Sequence, residues 1–371
     1  MEELRDSYLL ADIGHVTSRV ALLDRVADEY RFIARGEALS TLEPPWEDVA
    51  LGLREAVVDI QETTQRPLLN PQGTLLIPED DDGQGVDGFL VTTSAMRPLR
   101  VVLVGLMGSW SLERAQRVVH STYATVERVF DIESWRLGGG EELAWLAQAL
   151  SSDRLDALLL VGGTEGGAVA PIVEIAKDLA LLILTYRGQR EPRVIYAGNS
   201  EARPLVAQVL GKVADLRVVE NVLPSFEMEN YLAAREALDQ LLLEAQLPTL
   251  PGIRALVEAW GLAPVYPAAQ TLGWSISYLA RQYGLDILGV DLGASGITLV
   301  SAQGEEPPRI VTRANGLGRG LEGFLSRLGM DRIRRWLPEE VPAEEVERLA
   351  LSKALHPRML PQEWENLLIE R

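Results

Sequence analysis

Three segments near the start, Tyr8–Ile13, Ser18–Leu23 and Tyr30–Ala38, alternate apolar and polar residues, with Val20, Leu22, Phe32 and Ala34 among the apolar ones. That period-2 pattern marks strands with one buried face. The intervals are too short for crossover helices, so the pattern predicts antiparallel hairpins. The period then changes. Behind Pro44-Pro45, residues Val49, Leu51, Leu53, Val57, Val58 and Ile60 give Trp46–Gln65 a helical stripe, which predicts one helix laid on the strand meander. A loop rich in Pro, Gly and Asp at 66–88 leads to a further apolar run, Phe89–Thr93.

From Arg100 the style is different. Apolar runs Val101–Leu106, Ala157–Val161, Arg193–Ala197 and Leu216–Val219 alternate with helical patterns at 111–128, 141–150, 167–180 and 200–211, the rhythm of a parallel sheet with crossover helices. Gly138-Gly139-Gly140-Glu141 reads as the linker into the helix at 141–150. The stretch Leu247-Pro248-Thr249-Leu250-Pro251-Gly252 interrupts helix and strand alike and marks a boundary. Beyond it, helices at 253–260 and 267–283 precede three short strands, Ile287–Asp291, Ile297–Ala302 and Arg309–Arg313. The expected fold is α/β in three segments: 1–95 with the first strand hairpins, 96–247 as an inserted Rossmann-like unit, and 248–371 with the second set.

The 371 residues are 47% hydrophobic, enough for real cores, and carry a formal charge of −19. Such acidity opposes nucleic acid or an anionic membrane as the main partner. With no cysteine, thiolate metal sites and cysteine nucleophiles are excluded, and three histidines, His15, His120 and His356, make a His-rich metal site a poor reading. The N-terminus shows no signal-peptide pattern and the apolar runs fall short of the roughly 20 residues of a membrane span. A cytoplasmic protein is expected.

The chemistry points to two matching turns. Ala11-Asp12-Ile13-Gly14-His15-Val16-Thr17-Ser18-Arg19 and Val290-Asp291-Leu292-Gly293-Ala294-Ser295-Gly296-Ile297-Thr298 each place an Asp at a strand end, a Gly two residues on, and small or hydroxyl residues before the next strand. Glycine lets backbone N–H groups approach oxygens, hydroxyls add donors, and the strand-end carboxylate can hold a hydrated Mg²⁺ or orient a water. An ordinary hairpin turn explains either one alone; the pair in matching strand contexts suggests a nucleotide gripped from both sides. Gly162-Gly163-Thr164-Glu165-Gly166-Gly167, after a buried strand and before a helix, offers an anion site or a tight turn equally, with Glu165 unwelcoming to phosphate. Asp80-Asp81-Asp82-Gly83 lacks the spacing and the closing Glu of a calcium loop and reads as solvated loop.

These hairpins resemble the two phosphate loops of the actin/hexokinase/Hsp70 ATPase superfamily, and the whole chain resembles its glutamate mutase L (MutL/GlmL) branch. The likeness extends through Thr92-Thr93-Ser94-Ala95, the Gly162–Gly167 string, Tyr196-Ala197-Gly198-Asn199, Val219-Glu220-Asn221-Val222-Leu223-Pro224, Asn315-Gly316-Leu317-Gly318, Trp336-Leu337-Pro338 and Ala354-Leu355-His356-Pro357. It implies actin-like lobes, ATP and Mg²⁺ as cofactors, and a protein partner such as the coenzyme-B12-dependent glutamate mutase beside which the family is encoded. On that reading Asp12 and Asp291 are the catalytic and metal residues, and Gly14, His15, Ser18, Arg19, Gly293, Ala294, Ser295 and Gly296 bind the cofactor. The departures are His15 and Val16 for hydroxyl donors, Ile297 for another, the loss of the second acid, and no adenosine-binding Gly-Gly loop before Arg371. Two expectations therefore stand side by side: an ATP-binding accessory or chaperone-like factor, and a non-catalytic assembly module that keeps the fold.

Overall fold

The computed structural model describes residues 6–106, 108–131, 140–186, 188–261, 265–318, 320–338, 341–356, 359–361 and 363–370. The chain divides into two compact units, one of residues 1–96, 246–308 and 313–371, the other of residues 97–245 and 309–312. It is a mixed α/β fold with parallel strand pairing in both five-stranded sheets.

In the first unit the alternating segments form the expected antiparallel meander, β1 (Ser7–Ile13), β2 (Thr17–Val26) and β3 (Glu29–Leu39). The free side of β1 takes a parallel partner, β4 (Gly88–Thr93), and β4 in turn pairs with the short β10 (Val265–Pro267), so the order is β10-β4-β1-β2-β3. Helix α1 (Val49–Thr64) covers β2 and β3 with Val49, Leu53, Ala56, Val57 and Ile60, all buried. Asp48 caps it, its carboxylate accepting from the Ala50 N–H at 2.9 Å. Two glycines set how closely this helix lies on the sheet. A Cβ at Gly36 of β3 would stand 1.9 Å from the Ala56 carbonyl oxygen, and one at Gly52 of α1 would stand 1.9 Å from that of Leu39.

The second unit holds β5 (Leu99–Gly105), β6 (Ala124–Phe130), β7 (Ala157–Val161), β8 (Arg193–Tyr196) and β9 (Asp215–Val218), all parallel in the order β6-β5-β7-β8-β9. Its core is built from Val102, Val104, Leu158, Leu160, Val194 and Tyr196 of the strands against the helix Ala170–Tyr186. One sequence expectation fails here. The helix predicted over 111–128 stops at His120, and its second half is strand β6. Ser121 and Thr122 end it by donating their hydroxyls to the Val118 and Val119 carbonyls, at 2.7 and 3.0 Å. The β-branched Thr125, Val126 and Val129 then suit a strand. Of the predicted linker 138–141, Gly138 and Gly139 lie outside the described residues; Gly140 already opens the helix Gly140–Ser151.

Back in the first unit, β11 (Ile287–Leu292) and β12 (Ile297–Ala302) form the second antiparallel hairpin, packed by the helix Ala268–Tyr283. Next in sequence is the strand β13 (Arg309–Arg313), of which residues 309–312 count with the second unit. Four helices that the periodicity leaves unassigned close the chain: Leu321–Leu328, Met330–Arg334, Ala343–Leu355 and Trp364–Glu370. Among the described residues no helix is long and apolar enough to cross a membrane.

The close seating of α1 gives a direct test. Replacing Gly36 by Ala should lower stability by about 2 kcal/mol or more, because the added methyl must push the helix off the sheet. The urea midpoint should fall accordingly; an unchanged midpoint would mean that α1 can lift without loss.

Candidate functional site

Asp12 sits one residue before the end of β1, between Arg19 on β2 and Thr92 on β4. Its side chain is partly buried. Its Oδ1 is buried and meets no hydrogen-bond partner. Burial pushes the carboxyl up from its usual 3.8 to about 6; the Arg19 charge opposes that rise, and the charge of Asp291 adds to it. Arg19 itself is turned outward to Glu37, at 3.2 Å. Asp291, on β11 opposite Thr298, is exposed.

The two turns are built alike. Gly14 N–H donates to the Thr17 carbonyl at 3.0 Å, and Gly293 N–H donates to the Gly296 carbonyl at 2.9 Å. They also meet. His15 Nδ1 lies 3.0 Å from the Ser94 carbonyl oxygen and 2.8 Å from Ser295 Oγ, across 280 residues of sequence. A carbonyl can only accept, so Nδ1 carries the proton and the Ser295 hydroxyl oxygen shares it. Ser94 is in turn fixed to β1, its N–H donating to the Ile13 carbonyl at 3.1 Å.

Ser18 behaves differently from its neighbours. It is fully buried, with Oγ 3.1 Å from Ser40 Oγ, and the Ser40 hydroxyl donates to the Gly14 carbonyl at 2.6 Å. Ser18 thus braces the first turn through Ser40, a residue that belongs to no motif. The second turn has its own brace. Leu317 N–H donates to the Gly293 carbonyl at 3.0 Å and Gly318 N–H to the Ala294 carbonyl at 2.9 Å. A Cβ on Gly316 would fall 2.3 Å from that Gly293 oxygen, so this docking needs glycine. Asn315–Gly318 stood out in the sequence as a string, but not as a support for the turn.

The sequence profile of the MutL protein family matches residues 8–371. The chain belongs to the MutL family. Protein MutL of Clostridium tetanomorphum is 24% identical over 394 aligned residues, covering 98% of this MutL-family chain and 75% of that protein. Among solved structures, a Ppx/GppA family member of Aquifex aeolicus is 10% identical over 93% of the chain, with a TM-score of 0.22. An exopolyphosphatase of Cytophaga hutchinsonii is 8% identical over 98%, with a TM-score of 0.24. The chain spans 60% of the length of that Aquifex structure and 88% of the Cytophaga one. Likenesses this slight bear on neither fold nor chemistry.

In the second unit of this MutL-family chain, the Gly162–Gly167 turn is closed on itself. Gly162, Gly163 and Gly166 take positive φ angles of 146°, 73° and 71°. The Glu165 carboxylate accepts from the Ser200 N–H and hydroxyl and from Asn221 Nδ2. Asn221 also donates to the Gly163 carbonyl, and Asn199 to that of Gly167, each at 3.0 Å. Partial burial pushes Glu165 up, but these hydrogen bonds and the Arg203 charge hold it below the usual carboxylate range. The tight-turn reading fits this geometry; a loop centred on an ionised carboxylate repels phosphate. The Asp80 loop is likewise internal, Asp80 accepting from the Asp82 and Gln84 N–H groups.

Two measurements test the site. Above pH 6 the folded protein carries an ionised, desolvated Asp12 that the unfolded chain does not, so Asp12→Asn should stabilise it by about 2–3 kcal/mol at about pH 8. The gain should shrink as pH falls through 6 and nearly vanish by about pH 3, where both states are mostly protonated; thermal melts of both proteins across pH would show it. A double-mutant cycle of His15→Ala and Ser295→Ala should give a coupling of about 1 kcal/mol. Strict additivity would mean that the two turns do not hold each other.

Proposed function

We propose that this MutL-family protein has actin-like lobes and binds ATP with Mg²⁺ between its two Asp-x-Gly hairpins, acting as an accessory or chaperone-like factor to a protein partner. The observation that carries the reading is the buried, unpartnered Oδ1 of Asp12, destabilised further by the charge of Asp291. A divalent cation would relieve both costs. Among the described residues no group of three or more His, Cys, Asp or Glu could hold a metal. Two carboxylates nonetheless suit Mg²⁺, which keeps several waters and takes the rest of its ligands from phosphates. Asp12 and Asp291 would hold the ion, which when bound would neutralise phosphate charge. Gly14 and Gly293, whose N–H groups close their own turns, would let phosphate come close to the backbone, while Ala294, Ser295 and Gly296 would offer N–H groups to its oxygens and Arg19 a nearby cation. His15 and Ser295 would line the phosphates from opposite hairpins, with Ser18 holding the first turn in shape through Ser40. For hydrolysis, the Asp12 carboxylate, kept ionised by the bound cation, would orient the attacking water.

The meander of β1–β3 extended by the parallel β4, and the second hairpin with the same turn hydrogen bond, support the actin-like reading. The partner is proposed from the family, as an enzyme of the glutamate mutase type, and the acidic surface favours protein over nucleic acid. One observation favours the rival, a non-catalytic assembly module. The hydroxyl of Ser18 and the ring Nδ1 of His15 are both engaged within the protein.

Titration calorimetry separates the two. ATP with Mg²⁺ should release heat on binding, and Asp12→Ala should abolish it while circular dichroism stays unchanged. No heat with any nucleotide would end the first reading and leave a module whose complex with its partner forms regardless of nucleotide.

A further inference from the structure

The closing helices of the first unit enclose a cavity of about 760 Å³ that the nucleotide reading does not use. Its wall is apolar, with Leu321, Ile333, Leu349 and Leu368 among the lining residues. The size is that of a site for a small organic ligand, which typically spans roughly 300–1,000 Å³. Its charges are unusual for this protein. Arg332, Arg335 and Lys353 line it against one carboxylate, Glu370, in a chain whose net charge is −19.

Lys353 is only 5% exposed; its ammonium donates to the Met359 carbonyl at 2.7 Å and pairs with Glu370. That pair is neutral. The other two cations have no carboxylate: neither Arg332 nor Arg335 forms an ion pair among the described residues, and Arg335 instead lies over the Trp336 ring, 5.1 Å from its centroid. Trp336 is 80% exposed. An apolar chamber bordered by two guanidinium groups that meet no carboxylate among the described residues is complementary to a molecule with an apolar body and an anionic head, since guanidinium pairs well with carboxylate or phosphate.

We infer that this cavity binds a small amphipathic anion, with its apolar body among Leu321, Ile333, Leu349 and Leu368 and its head against Arg332 and Arg335. The site is independent of the nucleotide reading but touches the same turn. Leu317 lines the cavity while its N–H holds the Gly293 carbonyl, so an occupant that packs on Leu317 braces the second hairpin.

The full chain should be titrated calorimetrically with decanoate, decyl phosphate and the uncharged decanol, each below its micellar concentration. Decanoate or decyl phosphate should bind at a single site and decanol at least about tenfold more weakly, the loss expected when a charged hydrogen-bonding head is removed. Comparing the two anions distinguishes a carboxylate head from a phosphate head. Arg332→Glu, at an exposed position that folding should tolerate, should weaken the anion by a similar factor and leave decanol unaffected. Ala350→Trp, which fills the cavity, should remove binding of all three. Equal binding of decanol and decanoate would overturn the inference, as would absence of binding by any of the three. So would a concentration-dependent dimer that Ala350→Trp dissolves, because the cavity would then be a protein interface.

Discussion

The first unit depends on one constraint, the pairing of β1 on both of its edges. That pairing places Asp12 between Arg19 and Thr92, and its carboxyl is desolvated there. The Arg19 charge offsets part of that cost, but Oδ1 itself has no hydrogen-bond partner. A buried polar group left unsatisfied is expensive, and natural folds keep few of them. It is this imbalance, more than the Asp-x-Gly spelling, that singles out the strand end as a place where something else belongs.

The turn beyond Asp12 is held from three sides. Ser40 fixes the Gly14 carbonyl, the Ser94 segment is tied to Ile13, and His15 joins Ser94 to Ser295. The second turn is fixed through Gly293 and Ala294 by the loop at Gly316–Gly318. Each turn presents its backbone from a braced position, which is what preorganised binding of an anion requires. The histidine at position 15 has a specific consequence. Where a hydroxyl would reach only its own loop, the longer imidazole spans to the opposite hairpin, exchanging a local donor for a cross-link.

Much of this was legible in the sequence. The alternation in Tyr8–Leu23, the helical stripe of α1 and the two strand hairpins all correspond to features of the structure, because each depends on neighbours close in sequence or on a repeated local pattern; Phe32, expected on the buried face, is exposed beyond the register shift at Leu22 and Leu23. The misread segment, 111–128, has an equally local cause. Val118, Val119, Val126 and Val129 fall on helical spacing, and only the hydroxyls of Ser121 and Thr122, turned back on the helix, break it. What could not be read was anything set by distant chain. The neighbour of Asp12 on β4, Thr92, is some 80 residues away, and the service of Ser18 to Ser40 reverses the outward role its motif position suggests.

The two glycine-rich turns of the molecule show why satisfaction is a better guide than composition. Gly162–Gly167 has more glycines than either Asp-x-Gly turn, yet its carboxylate, Glu165, accepts from Ser200 and Asn221 and is held ionised. Such a group has its partners already; a ligand arriving there would have to displace them. Asp12 has a poorer motif around it and a carboxyl raised to about 6, with an oxygen that nothing in the protein meets. A ligand that brings positive charge gains at Asp12 what it would lose at Glu165. The two shifts, down in one turn and up in the other, follow from which carboxylate already has its hydrogen-bond partners within the protein.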